Sequence, residues 1–311
     1  MDKLRVVFTV DVEEEGLFTG SYPRRPRGLA NVAHLERLEF ITRRHGLPLT
    51  LLATYPVINH PDCRRVLLSW RDQLGAELGA HLHPWNTPPF GPAELPEPHL
   101  ASDIPPGRLR QKLASLLQAH ADLLGAPARS FRMGRFDLPP ELMAALPELG
   151  VKVDSSLVPL RTTMQGPDHF TCPVEPHRPP DGRGRPLPLC EAPLTLAPQL
   201  AGSQRVVAAL ARRLPPAAGR RLKIVYRHLG VVGVQPSMFS AAAMRRAARL
   251  HHSRGGRTLV MYLHSSELMP GATPAYPHQA AVAKLVDKIT GFLGWLSDKY
   301  EITGRRLSEL A

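Results

Sequence analysis

Short apolar runs of strand length alternate along this chain with segments of helical periodicity, and that alternation is what most restricts its fold. Leu4 to Val10 is a β-branched apolar run starting almost at the first residue, as expected of a strand buried on both faces. From Asn31 to Arg44, Val32, Leu35, Leu38 and Ile41 recur at helical spacing, and Gly46 then Pro48 supply the stop. Pro48 to Ala53 reads as strand, Pro61 to Leu74 as helix and Glu77 to Leu82 as strand, while the prolines from Pro84 to Pro98 rule out regular structure. A helix over Pro106 to Leu124, a strand near Ser130, a helix after Pro139 and a strand at Gly150 to Val153 continue the pattern. An amphipathic helix over Ser240 to Arg254, a strand over Thr258 to Leu263 and a terminal helix near Gln279 to Tyr300 complete it.

Such alternation argues for a parallel sheet or barrel. The 311 residues, 43% of them hydrophobic, are enough for one large α/β domain spanning 1–311. Between about Leu160 and Pro188 the composition shifts to Pro, Arg and Gly, as in HRPPDGRGRPLP. That stretch reads as an irregular insertion, either a surface excursion or a loop over the site.

Lys and Arg number 39 against 27 acidic residues, a formal charge of +12, and the excess reads as arginine spread along the whole chain. Anionic partners are therefore favoured: nucleic acid, anionic lipid surfaces or acidic glycans. Nothing resembling a zinc finger, an aromatic ribonucleoprotein motif or a clustered basic helix supports nucleic acid. Cys63, Cys172 and Cys190 lie far apart, with no C-x-x-C pair, so a reduced compartment is expected. Val6 to Val10 is too short for a signal-peptide core or a membrane span. The expectation is a cytoplasmic protein without a transmembrane segment, with peripheral membrane contact left open.

Three strand ends carry the candidate chemistry. In FTVDVEEE, Asp11 and Glu13 stand at i and i+2 and so share one face of their strand, while Glu14 and Glu15 read as solubilising acids. In GAELGAHLHPWN, His81 and His83 repeat the same spacing, and two imidazoles with a carboxylate form a set that leaves a hydrolytic metal open to water. In TLVMYLHSSEL a buried strand ends at His264, suited to general acid work, with Ser265, Ser266 and Glu267 in reach to orient it. SFRMGRFDL adds Arg132, able to hold a catalytic carboxylate ionised through a bidentate contact, and Arg135, able to meet substrate. Trp85, Asn86 and Phe90, in the proline-rich loop, are candidates to stack on and hydrogen-bond a sugar.

Thr9-Val10-Asp11-Val12-Glu13, Gly79-Ala80-His81-Leu82-His83-Pro84-Trp85, Phe131-Arg132-Met133-Gly134-Arg135 and Tyr262-Leu263-His264, in this order, resemble the motifs of the polysaccharide deacetylases, carbohydrate esterase family four. The resemblance spans nearly the whole chain. It implies a distorted (β/α) barrel of about seven strands that hydrolyses an N-acyl group, acetyl or formyl, from an amino sugar with one divalent ion, usually zinc. Asp11 would match the general base, Arg132 the residue tethering it, His264 the general acid and Asp154 an aspartate that tunes this acid, though Asp154 reads equally as a turn cap. The substrate would be an acylated amino sugar of a polysaccharide or a lipid-linked or nucleotide-linked precursor.

Two departures bear on the metal. Val12 stands where the family has a second, ligating aspartate, and Trp85 where it has a histidine four residues after His81. Glu13 and His83 are the substitutes offered at i+2. Competing expectations are a catalytically inactive glycan-binding barrel, favoured by Val12 and Trp85, and an amidohydrolase-type enzyme acting on a small amide, disfavoured because an acid-tipped strand precedes the H-x-H.

Overall fold

The structure is a computed structural model that describes residues 3–92, 95–164 and 166–311. In chain order its strands are β1 (Lys3–Val12), β2 (Leu49–Ala53), β3 (Glu77–Leu82), β4 (Ser130–Met133), β5 (Val153–Asp154), β6 (Cys190–Glu191), β7 (Leu196–Pro198), β8 (Val231–Gly233), β9 (Thr258–His264) and β10 (Glu301–Gly304). Its helices are α1 (Glu39–His45), α2 (Tyr55–Asn59), α3 (Pro61–Leu74), α4 (Pro106–Leu124), α5 (Pro140–Ala145), α6 (Ser203–Arg212), α7 (Pro216–Gly230), α8 (Ala241–Ser253) and α9 (Gln279–Lys299).

Seven parallel strands run in the order β9-β1-β2-β3-β4-β5-β6 and curl into a distorted barrel. β1 is paired along both edges. β9 lies beside residues 5–11, and the opposite edge is divided between β2, beside 8–12, and β10, beside 3–6. Thr195 bridges the gap between the ends of the sheet: its N–H donates to the Val260 carbonyl at 3.1 Å, and Val260 N–H donates to Thr195 Oγ1 at 2.8 Å. β7 and β8 form a separate antiparallel pair.

Both faces of the barrel wall are buried, so side-chain parity decides what each strand residue meets. On β1, Val6, Phe8, Val10 and Val12 pack outward against Leu35, Leu38, Leu67 and Phe292. Val7 points inward to Val153, Val260 and Tyr262, and Thr9, Asp11 and Glu13 follow on that inner face.

The expected helices and strands up to Leu124 and from Ser240 onward are present, with the segment over 31–44 divided into a 3₁₀ turn, Ala30–Leu38, and α1. The α6–α7 hairpin was not anticipated, because its apolar residues lie among arginines and half of them face solvent. β5 and β6 are two residues each, too short to leave a periodic signal. The 160–188 excursion is irregular, as expected, but among the described residues it does not line the cavity holding the strand-end candidates. It packs instead on α7 and α8, through Lys223–Asp168 (2.5 Å), Phe170–Tyr226 (5.6 Å between rings) and His251–Glu175 (2.6 Å).

Parity also corrects the expectation for Asp154. Val153 faces the barrel interior and Ser155 reaches Arg132 inside it, so Asp154 points outward and cannot tune an acid in the interior. There it pairs in register with Glu191, both fully buried. Burial pushes both carboxyls up, and the adjacent Asp154 charge adds to the shift on Glu191. A raised folded-state pKa means the folded chain keeps a proton that the unfolded chain releases. The stabilisation from Glu191 is therefore complete below pH 4.5, the ordinary Glu value, and is lost as pH rises through the raised value. Glu191→Gln keeps an oxygen for the Leu157 N–H (3.0 Å) and removes the charge. Its thermal midpoint should exceed the wild type's at pH 8 by roughly 2–4 °C and match it near pH 4; an equal difference at both pH values would refute the assignment.

Candidate metal centre and active site

Parallel strands deliver their C-terminal residues to one rim. The register places Asp11 opposite His264 across β1 and β9, and His81 opposite Arg132 across β3 and β4. Asp11, Glu13, His81, His83 and His264 line one cavity of about 160 Å³, with Arg135 at its edge.

Glu13 Oε2 lies 3.5 Å from His81 Nε2 and 3.4 Å from His83 Nε2, and the two Nε2 atoms are 3.0 Å apart. The second nitrogen of each ring is already committed. His81 Nδ1 donates to the Arg132 carbonyl at 3.0 Å, and His83 Nδ1 donates to Glu14 Oε1 at 2.9 Å. A carbonyl and a carboxylate only accept, so the free electron pairs of both rings belong to Nε2 and converge with the Glu13 carboxylate. Two imidazole nitrogens and a carboxylate, all within 4.8 Å of one another and buried, fit a borderline divalent ion with an open coordination position.

Burial would raise the Glu13 pKa, but His264, His81 and His83 outweigh it and hold the carboxyl well below its usual range. Burial would lower the His83 pKa, yet Glu14 and Glu13 outweigh it and push it to about 9. To hold a divalent ion, His83 would have to give up its Nε2 proton.

Glu14, read from sequence as solubilising, is fully buried beneath this cluster. Besides His83, it accepts from Trp85 Nε1 at 3.0 Å, Asn86 Nδ2 at 2.5 Å and Thr54 Oγ1 at 3.3 Å. Trp85 and Asn86, expected to meet a sugar, are only 1% and 2% exposed. Both donate to Glu14, and the Trp85 ring stacks on His83 at 4.2 Å. They buttress the histidine. Phe90 lies away from the cavity, under the cations of Arg24 (4.8 Å) and Lys112 (5.1 Å). Gly134 allows the close approach of β4 to this shell: a Cβ there would stand 2.5 Å from His83 Cδ2 and 2.7 Å from the Leu82 carbonyl oxygen.

On the other side of the cavity, Arg132 Nη1 donates to Asp11 Oδ1 at 2.5 Å, with Nε and Nη2 donating to the Ser155 carbonyl and hydroxyl, each at 2.9 Å. Every arm of this buried guanidinium is occupied, which fixes Asp11 and leaves Oδ2 directed to His264 Nε2, 4.0 Å away. Glu267 Oε2 lies 3.4 Å from His264 Nδ1 and accepts the His264 backbone N–H at 2.9 Å. Burial alone would lower the His264 pKa, but Glu13, Glu267 and Asp11 outweigh it and push it to about 10. Glu267 thus holds the position expected of Asp154.

Arg135 is exposed at the cavity mouth, its guanidinium 5.0 Å from the Tyr22 ring centroid and donating to the Tyr22 hydroxyl. It and Phe136 adopt left-handed φ of 58° and 59°, a costly pair of conformations for non-glycine residues of the kind found at sites. Phe18 closes another side, edge-on to His264 at 5.0 Å. Glu14, Tyr22 and Phe18 were missed in the sequence; the Trp85-Asn86 pair, one residue beyond H-x-H, was the available signal for Glu14.

No protein-family model matches the sequence, and no characterised protein matches it in sequence. Solved structures do match in fold. A protein of Parabacteroides distasonis assigned as a glycoside hydrolase/deacetylase superposes with a TM-score of 0.62 at 11% identity, covering 99% of this chain and 70% of that one. One of Mycobacterium smegmatis assigned as a polysaccharide deacetylase gives 0.51 at 17% identity, covering 97% and 92%. PuuE allantoinase gives 0.53 at 13% identity, covering 98% and 88%. The chain has the fold of the polysaccharide deacetylases.

Glu14→Gln should lower zinc affinity about 10–100-fold, measured by competition with a chromophoric chelator, with an unchanged circular dichroism spectrum. Unchanged affinity would remove Glu14 from the metal centre.

Proposed function

We propose that this protein is a metal-dependent amide hydrolase that removes an N-acyl group, acetyl or formyl, from an amino sugar. The observation that carries the reading is the placement of a Glu13–His81–His83 donor set and an Asp11–His264 acid–base pair on one rim of a deacetylase-type barrel. Glu13, His81 and His83 would hold one divalent ion, taken to be zinc, whose chemistry when bound is to polarise an acyl carbonyl and acidify water.

Asp11 is the base. Its Oδ1 is fixed by Arg132, and its Oδ2 accepts the proton of the attacking water. His264 is the acid. Glu267 orients the ring, and Nε2 carries the proton that the departing amine requires. Phe18 and the half-buried Tyr22 limit the water that reaches the cavity.

The inactive-barrel reading rested on Val12 and Trp85. Neither occupies a ligand position: Val12 points outward into the core, and Trp85 supports His83 from behind. A small amide in place of a sugar remains the second reading, favoured by the cavity's size and by the shared fold with an allantoinase. Three free cysteines suit a reducing, cytoplasmic setting, and none of the described helices is long and apolar enough to cross a membrane.

Release of acetate or formate from a panel of N-acylated sugars, with and without added zinc, tests the reading. Zinc-dependent release is expected, with Asp11→Asn slowing turnover about 10²–10⁴-fold while zinc stays bound and His81→Ala losing both. Normal turnover by Asp11→Asn, or by chelated enzyme, would overturn it.

A further inference from the structure

A second cavity, of about 200 Å³, adjoins the catalytic one and shares Phe136 with it. The Tyr262 ring lines it and stands edge-on to both Phe136 (5.4 Å) and His264 (5.3 Å), so it lies one ring away from the acid. Arg161 and Arg227 also line it, and among the described residues neither meets a carboxylate: Arg161 donates to the Arg135 carbonyl at 3.2 Å and lies 5.4 Å from the Phe136 ring centroid, and Arg227 makes no hydrogen bond or ion pair. Burial pushes both guanidinium groups down from their ordinary value, and the charge of Arg161 adds to the effect on Arg227. Gln235, 1% exposed, lines the same cavity with its Oε1 lacking any donor. Two half-buried cations that touch no carboxylate among the described residues, with Asp137 acting on Arg161 only at longer range, and an unsatisfied amide oxygen describe a site shaped for an anionic ligand.

We propose that this cavity binds an anionic group of the substrate, a phosphate or carboxylate, with Arg161 and Arg227 taking the charge and Gln235 Oε1 accepting from a neighbouring hydroxyl. The proposal rests on the deacetylase reading for its substrate but not for its binding test. With zinc-loaded protein, N-acetylglucosamine 1-phosphate or 6-phosphate should show a KM about tenfold below that of N-acetylglucosamine. Arg161→Gln and Arg227→Gln should abolish that advantage while leaving kcat on the neutral sugar within about threefold. Independently of turnover, inorganic phosphate should raise the thermal midpoint of the wild type and not of either variant. Phosphate binding without turnover on any N-acyl sugar would retire the deacetylase reading and keep the anion site. Turnover with no preference for phosphorylated sugar and no phosphate binding would do the reverse.

A different observation concerns the surface beside this cavity. The arginine excess is not spread along the chain: residues 192–266 contain 12 Lys and Arg and no Asp or Glu, leaving 27 of each sign elsewhere, so this segment carries the whole +12. It includes the α6–α7 hairpin, held together by close helix contact at Gly219 and by the Ser203–Tyr226 hydrogen bond of 2.6 Å. Six of the eleven exposed large apolar side chains among the described residues lie on or beside it: Leu200, Val206, Leu210, Leu214, Val225 and Leu229, 43–75% exposed. Val206 and Leu210 stand at i, i+4 on α6 and Val225 and Leu229 at i, i+4 on α7, which aligns each pair on a helix face, and Leu214 lies in the bend between the two helices.

Exposed aliphatic residues among uncompensated arginines match the interface of an anionic bilayer, where the apolar face enters the acyl boundary and the cations meet headgroups. A second copy of the chain is a poor occupant, because the same excess of charge would face itself. We infer that the α6–α7 hairpin seats on an anionic membrane surface. The full chain should co-sediment with phosphatidylglycerol-containing vesicles and not with pure phosphatidylcholine. The exposed double substitution Leu210→Ser/Leu229→Ser should cut that binding about tenfold or more with no change in thermal midpoint. Absence of binding to phosphatidylglycerol vesicles, or binding indifferent to the double substitution, would overturn the inference, as would a dimer in sedimentation equilibrium that the double substitution dissolves.

Discussion

The structure depends on β1 being buried on both faces and paired along both edges. A strand so placed cannot slip by one residue without turning Asp11 and Glu13 into the helix layer and Val10 and Val12 into the barrel, which would bury charge against leucine and phenylalanine. Register, barrel closure and site are therefore specified together. β9 brings His264 opposite Asp11, β2 and β3 follow in sequence to bring the histidines, and β4 brings Arg132 opposite His81.

Burying the ionisable groups of the candidate site is tolerable because fixed partners surround them. Arg132 neutralises Asp11 and is itself satisfied by Ser155, which in turn donates to the Ala192 carbonyl at 2.7 Å. Glu14 gathers four donors, from Thr54, His83, Trp85 and Asn86. Ser265 Oγ accepts from the Glu13 N–H at 3.1 Å and from Asn31 Nδ2 at 2.7 Å, fixing the chain where it leaves β1. In the Nε2–Nε2–carboxylate cluster of His81, His83 and Glu13, buried polar atoms meet without a settled donor, and a proton or a divalent ion would satisfy them. The two departures from the deacetylase motif are part of this arrangement: with Trp85 supporting His83 from below, the second histidine comes from i+2 along the chain.

The same logic separates the rim that carries the candidate site from the surface beside it. Within the rim, positive and negative groups are matched pair by pair. Around residues 192–266 most are not: among the described residues only Lys223 of the 12 cations pairs with a carboxylate, Asp168, and charge is left over both in a cavity next to His264 and on an apolar helical hairpin. Unmatched charge on a chain otherwise balanced 27 to 27 directs attention to what lies outside the molecule.

Much of this was legible in the sequence. Strand runs ending in D-x-E, H-x-H and L-x-H fix which side chains share a face, because alternation along a strand is a local property of the backbone. Alternation of strands with helical segments fixes a parallel sheet in the same way. Asp11, Glu13, His81, His83, Arg132 and His264 follow from those two facts and do come together. Partners contributed by other strands and loops were not legible. Glu14 looks like any acid beyond a strand end until Trp85, Asn86 and His83 fold around it, and Asp154 looked catalytic until the parity of a two-residue strand turned it outward, whereas Glu267, three residues beyond His264, was in reach from the sequence. Hydrogen-bond partnership and burial are relations between segments far apart in sequence, and only the tertiary structure decides them.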